Sequence, residues 1–378
     1  MRTERSYAWI ISLGLVSVAG TAAAEDAPPA DAAAKPAVPS VSDILAGSGI
    51  TATGYVDTTF AYQHIQETNT DYNTFALQQA ALTLSYLPTA GFGAMVNILD
   101  GENPYDATGV ALSSSRTEQQ NGFTGAPTFY LMQAYLQYVV GPLTVQAGKF
   151  ATLAGAETWN PTTNSQVTRS LLFAGEPVTN TGVRLTYAAT STLNVILGVD
   201  NGWFASEDVS TGSGKTLEAG VAFTPSKTLS ATAQIYYGRE FLLNYGVNAN
   251  SGLFDSVLTW TATDSLSVGA SIDYGWVQKT STTPSAKWYG VALYGTYALN
   301  DQFHVSLRPE YLADKDGYLT GAPAAHGVDL KEITATLGYD PIKSVEVRLE
   351  ARYDAPTDNS AATTSKSTQL WAEAYYKF

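Results

Sequence analysis

The sequence predicts an all-β protein: a 16-stranded antiparallel transmembrane β-barrel with short periplasmic turns, long external loops and an infolded third loop. Three observations carry that expectation. From Ile50 onward, apolar and polar residues alternate with period two, and no stretch shows the period of an amphipathic helix. The strand candidates are joined by connections that alternate between short and long. The chain ends on a large apolar ring, Phe378, in the alternating segment LWAEAYYKF.

The alternation is clearest in VEVRLEARYD, where Val345, Val347, Leu349, Ala351 and Tyr353 interleave with Glu346, Arg348, Glu350, Arg352 and Asp354. A soluble sandwich also alternates. It gives no reason for connections to sort by parity, whereas a membrane barrel does, with short turns on the periplasmic side and longer loops outside. Sixteen candidates begin near residues 50, 73, 91, 128, 143, 180, 193, 215, 229, 253, 266, 287, 302, 328, 345 and 367. The short connections fall near 89, 141, 190, 225, 263, 300 and 341. The longer ones cover roughly 66–72, 100–127, 151–179, 201–214, 240–252, 278–286, 313–327 and 355–366.

An even strand count lets the last strand close on the first, so no edge remains in lipid. Tyr376 and Phe378 then belong to a periplasmic aromatic girdle. The terminal Phe also resembles the assembly signal of outer-membrane barrels, which implies the barrel-assembly machinery and outer-membrane lipid as partners.

Composition agrees. Charged residues make up 14% of the 378 residues, against about 25% in soluble domains. A net charge of −14 with only 20 Lys and Arg excludes a nucleic-acid partner. With no Cys there are no disulfides or thiolate ligands. The mean hydropathy of −0.05 hides the membrane spans, because half of each strand faces away from lipid. Residues 1–24 read as a signal peptide: Arg2 and Arg5, the run IISLGLVSVAG, then Ala22 to Ala24 at the cleavage site. Residues 25–47 form an Ala/Pro-rich periplasmic linker, and 48–378 the barrel.

Barrels of this size leave an aqueous channel. The inward faces carry Arg184, Glu218, Asp273, His304, Arg308, Glu310, Glu332, Glu346, Arg348, Glu350, Arg352, Glu373 and Lys377, charges that a dry core would not tolerate. The connection after strand five contains SLLFAG, whose Leu171, Leu172 and Phe173 need burial. Folding inward would bury them and narrow the channel. Lys149, Glu157, Arg169 and Glu176 are then candidates for the loop side of a constriction. Arg184, Arg308, Glu310, Glu346, Arg348, Glu350 and Arg352 are candidates for the pore wall, and facing acids and bases would set a transverse field.

In this same region the run Gly148-Lys149-Phe150, then Gly155, Glu157, Asn160-Pro161, Arg169-Ser170, Leu172-Phe173, Pro177 and Thr181-Gly182 with Arg184 resembles the beta-barrel porin-2 family. The resemblance implies an outer-membrane porin of Gram-negative bacteria that passes small solutes and ions by diffusion. Porin-like families also suggest a homotrimer. Val178 stands after Pro177, where the family pattern often has an aromatic residue.

Several remaining motifs carry less. TGSGKT, residues 211–216, lacks the first Gly of a phosphate-binding loop and its flanking strand and helix. His64, His304 and His326 have no metal-ligand spacing, and no cofactor is implied. An enzymatic barrel would be a Ser–His hydrolase with its pair on the lipid-facing wall, but His304 alternates with Phe303 and Val305 and so points inward. A solute-specific channel would share the alternation and loop parity of a diffusion porin, and so would a plugged structural or adhesion barrel.

Overall fold

In the computed structural model, the described residues are 47–66, 68–101, 129–203, 214–242, 247–281, 284–320, 327–357 and 366–378. The expected signal peptide and nearly all of the linker lie outside them. So do large parts of the connections expected at 100–127, 201–214, 313–327 and 355–366.

The strands are β1 (Thr51–Ile65), β2 (Thr70–Tyr86), β3 (Gly91–Asp100), β4 (Phe129–Val140), β5 (Leu143–Ala151), β6 (Thr179–Ala188), β7 (Leu193–Asp200) and β8 (Thr216–Ser226). They continue as β9 (Leu229–Leu242), β10 (Val247–Thr261), β11 (Leu266–Val277), β12 (Ala286–Ala298), β13 (Phe303–Asp314), β14 (Val328–Ile342), β15 (Val345–Pro356) and β16 (Ser367–Lys377). Each pairs antiparallel with its sequence neighbours, and β1 pairs with β16 to close the barrel. All the expected short connections fall between strands at the end where the chain stops.

Two connections expected to be long are not. β1 and β2 are separated by residues 66–69, and β9 and β10 by residues 243–246. In the first, the run of Thr and Asn residues reads as loop chemistry. Yet the strands continue through it, with His64 opposite Asp71, and Asn69 makes the turn at φ 50°. The Tyr62 hydroxyl donates to Asp71 at 2.9 Å, and His64 Nδ1 lies 2.7 Å from the same carboxylate.

Exposure separates the two faces. Outward lie Leu84, Leu136, Leu185, Leu197, Leu258, Ile272, Leu307 and Leu349, all exposed. Aromatic rings band both ends: Phe92, Tyr138, Tyr187, Trp260 and Tyr297 near the short turns, and Tyr72, Phe75, Tyr237 and Tyr274 at the other end. This is the lipid-facing band and double girdle of a membrane barrel.

Bulges interrupt the alternation. Asp57 pairs with Gln79 and Thr58 with Leu77, so Gln78 is an extra residue and both Gln78 and Gln79 turn inward, buried. A second shift pairs Asn97 with Gln133 and Ile98 with Leu131, and places Met132, fully buried, inside the barrel.

Phe378 is held by the closure itself. Its N–H donates to the Gly54 carbonyl, and its carbonyl accepts from the Gly54 N–H, each at 3.0 Å. Its ring lies over Gly54, where any Cβ would collide with it. The Gly54→Leu variant should therefore displace the ring and lower the fraction of heat-modifiable, compact barrel on unheated gels. An unchanged folded fraction would show that this seat is dispensable for closure.

Candidate functional site

Between β5 and β6 the chain runs from Thr152 to Val178 inside the barrel; we call this segment loop three. The apolar triplet is buried as its chemistry demands. Leu171 and Leu172 join a cluster with Trp203, Trp288, Leu312 and Leu319, and Phe173 joins Tyr55, Leu99 and Met132. Burying each such side chain fully contributes about 1.5–3 kcal/mol. Gly290 leaves the space that Leu172 occupies, and Trp288 stacks on Tyr318 with centroids 4.9 Å apart.

The polar half of the loop is fixed by arginines from the wall. Arg308 on β13 donates to Glu157 at 2.6 Å, to the Thr168 carbonyl at 2.7 Å and to the Arg169 carbonyl at 3.1 Å. Arg348 on β15 donates to the carbonyls of Asn164 at 2.6 Å and Pro161 at 3.2 Å. Arg352 donates to the Arg169 carbonyl at 2.5 Å. All three are 0–1% exposed. Each also has a wall carboxylate: Glu332 for Arg308, Glu373 for Arg348 and Asp354 for Arg352.

Carboxylates on the same wall receive the loop's N–H groups. Glu350 accepts from the Val167 N–H at 2.6 Å, the Thr168 N–H at 2.9 Å and the Thr168 hydroxyl at 2.6 Å. Glu310 accepts from the Leu171 N–H at 2.8 Å. On β2, Gln79 donates to the Trp159 carbonyl at 3.2 Å. A loop with no regular ladder thus has its backbone satisfied by the barrel.

The expected site residues sort into four groups. Glu157, Arg308, Glu310, Arg348, Glu350 and Arg352 are brought together, but as direct contacts and not as facing charges across a water gap. Glu157 also accepts the Ser170 N–H at 2.6 Å. Arg169 turns back on its own loop, donating to the carbonyls of Val167 at 3.0 Å and Trp159 at 2.9 Å. Arg184 sits apart from this seal, and Glu346 lies at its edge, 3.9 Å from Arg348. Arg184 makes a bidentate pair with Glu218, both bonds 2.8 Å, and stacks on Phe150 at 4.2 Å. Glu346 lies 3.4 Å from His304 and accepts from the Tyr375 hydroxyl.

Lys149 and Glu176 differ from expectation. Lys149 lies within β5 and not on the loop, opposite Ala134 and Thr181, so strand parity puts it on the other face from Phe150. Glu176 meets no arginine and packs against Asp255 on β10 and Asp273 on β11. Burial, then the nearby Asp255, Glu157 and Glu310, push its carboxyl well above the usual range. Gln79 and Met132 reach the lumen through bulges, a break in alternation that a period-two reading passes over.

A cavity of about 60 Å³ lies between Glu157, Asn164 and Gln166 on one side and Thr259, Ser267 and Tyr294 on the other.

A closed sixteen-stranded barrel with two aromatic girdles and an inward loop defines a channel of the outer-membrane porin class. The chain belongs to the beta-barrel porin-2, OmpL-like family, whose model matches residues 49–378. Solved structures agree in fold. The outer membrane channel DcaP of Acinetobacter baumannii is 13% identical, with a TM-score of 0.65, covering 87% of this chain and 97% of that one. The anion-selective porin from Comamonas acidovorans is 12% identical, with a TM-score of 0.63, covering 87% and 99%. Pseudomonas putida OprB is 11% identical, with a TM-score of 0.61, covering 89% and 96%. No curated protein matches the chain.

Glu350→Ala should release loop three from β15. Removal of its carboxylate leaves the buried N–H groups of Val167 and Thr168 without their acceptor, at a cost of about 1–3 kcal/mol for each unsatisfied group. The variant is expected to melt lower and to be cut within loop three by a protease that spares the wild type. Equal melting and equal protection would show that Glu350 does not hold the loop.

Proposed function

We propose that this porin passes small hydrophilic solutes and ions by passive diffusion along one side of loop three, and not through an open central bore. One observation carries the reading: loop three is sealed to β13 and β15 by Arg308, Arg348 and Arg352, while the space beside it faces β10 to β12. The lining there mixes Thr259, Ser267, Tyr294 and Thr296 with Val257, Leu258, Val268 and Ala270, so the barrel side of the space carries hydroxyls but no fixed charge. The second reading is a solute-specific channel. No catalytic group is needed in either case; His304 is engaged by Glu346 and Asp340 at 3.4 and 3.7 Å.

In this reading the lipid-facing band sits in the outer membrane, and the short turns and Phe378 face the periplasm. A Vibrio cholerae porin with the same fold, OmpT, is described in a trimer form. A homotrimer is the assembly we propose here, built through part of the apolar outer band.

Deleting residues 163–175 from the folded protein should raise single-channel conductance several-fold, since this part of loop three lies inside the barrel against the wall. Conductance equal to wild type from a correctly folded deletion would place the constriction elsewhere. Small wild-type steps blocked by one solute would favour the specific channel over general diffusion.

A further inference from the structure

On the side of loop three away from the arginines, three carboxylates meet. Asp255 and Asp273 are direct partners across β10 and β11. Glu176 arrives from loop three, and one oxygen from each of the three lies within 4.8 Å of the others. Like charges directly opposite in a sheet are destabilising. Here all three residues are 0–3% exposed, so water does not screen them.

Their partners do not account for them. Among the described residues no Lys, Arg or His pairs with any of the three. Both Asp273 oxygens and one Asp255 oxygen accept no hydrogen bond. Ser271, 0% exposed and on the same face of β11 as Asp273, adds a hydroxyl beside Asp255 that makes no hydrogen bond. Gly155, at φ 84°, lets the loop backbone come so close that a Cβ there would strike the Glu176 carboxylate.

We infer that Glu176, Asp255 and Asp273 bind a divalent hard cation, and that calcium is the metal whose chemistry fits. Every donor is oxygen, which excludes soft-metal sites. The ligands come from three separate elements and are closed off from bulk solvent. Magnesium gives up its waters reluctantly and keeps several, whereas calcium takes six to eight oxygens in irregular arrangements. The cation would join loop three to β10 and β11, opposite the arginine seal on β13 and β15. The competing outcome is that the three groups share protons and bind nothing.

The test uses full-length protein folded in detergent, stripped with EDTA and titrated with calcium chloride by calorimetry. The expected result is saturable binding of one calcium per chain and a melting temperature that rises with calcium. Asp273→Asn and Glu176→Gln should each weaken binding at least tenfold while the barrel retains its β-sheet circular dichroism. No saturable binding by the wild type would overturn the inference, as would unchanged affinity in both folded variants. Because the readout is metal binding, a protein that conducts but binds no calcium sinks this inference alone. One that binds calcium but does not conduct leaves it standing and sinks the transport reading.

Discussion

Backbone closure is the constraint on which everything else in this barrel depends. Inside lipid a free N–H or carbonyl has no water to pair with and costs several kcal/mol. The bonds between Gly54 and Phe378, and the pairing of β1 with β16 above them, remove the last such edge. The chain's final residue is thus structural. Side-chain parity then follows automatically. Once register is fixed, each strand presents one row to lipid and one to the interior, and Arg348, Glu350 and Arg352 have nowhere else to go.

The interior is where this protein departs from an empty pipe. Loop three is a long stretch without a ladder, so its backbone groups need partners. The wall supplies them through ions: arginines for carbonyls, glutamates for N–H groups. A guanidinium offers five donors in a rigid fork, so one side chain serves several loop carbonyls at once. The seal joins segments distant in sequence, with Arg348 bonding to Asn164 across 184 positions. Its stability is conditional on the barrel having closed first.

The strands, their order and the short turns are legible in the sequence because period-two alternation reports a physical boundary, lipid on one side and protein or water on the other. The burial of Leu171, Leu172 and Phe173 is legible for the same reason: apolar groups in a loop need cover. The failures are equally physical. The β1–β2 turn is hidden because Thr and Asn suit both a loop and a barrel strand. Met132 and Gln78 are hidden because a bulge shifts parity without any mark in composition. The run Gly148-Lys149-Phe150 groups Lys149 with the loop, but β5 continues to Ala151 and parity turns Lys149 to the face opposite Phe150. The meeting of Glu176 with Asp255 and Asp273 is not legible at all, since it joins three elements whose relative placement only closure decides.

Charge is legible in kind but not in use. A row of arginines along β13 and β15 reads as one side of an electric field across a pore. Each guanidinium is instead matched by a wall carboxylate and covered by loop carbonyls, with at most 1% of its surface exposed. A charge so neutralised and desolvated exerts little pull on a passing ion, because its field terminates on neighbours about 3 Å away. In the side passage proposed above, the groups that would meet a solute are those bordering the cavity beside loop three, hydroxyls and apolar side chains of β10 to β12 with Glu157 on the loop side. Glu157 is itself held by Arg308 at 2.6 Å. In that proposal, selection would come from width before net charge, and the arginines would act on transport through the position of the loop they hold.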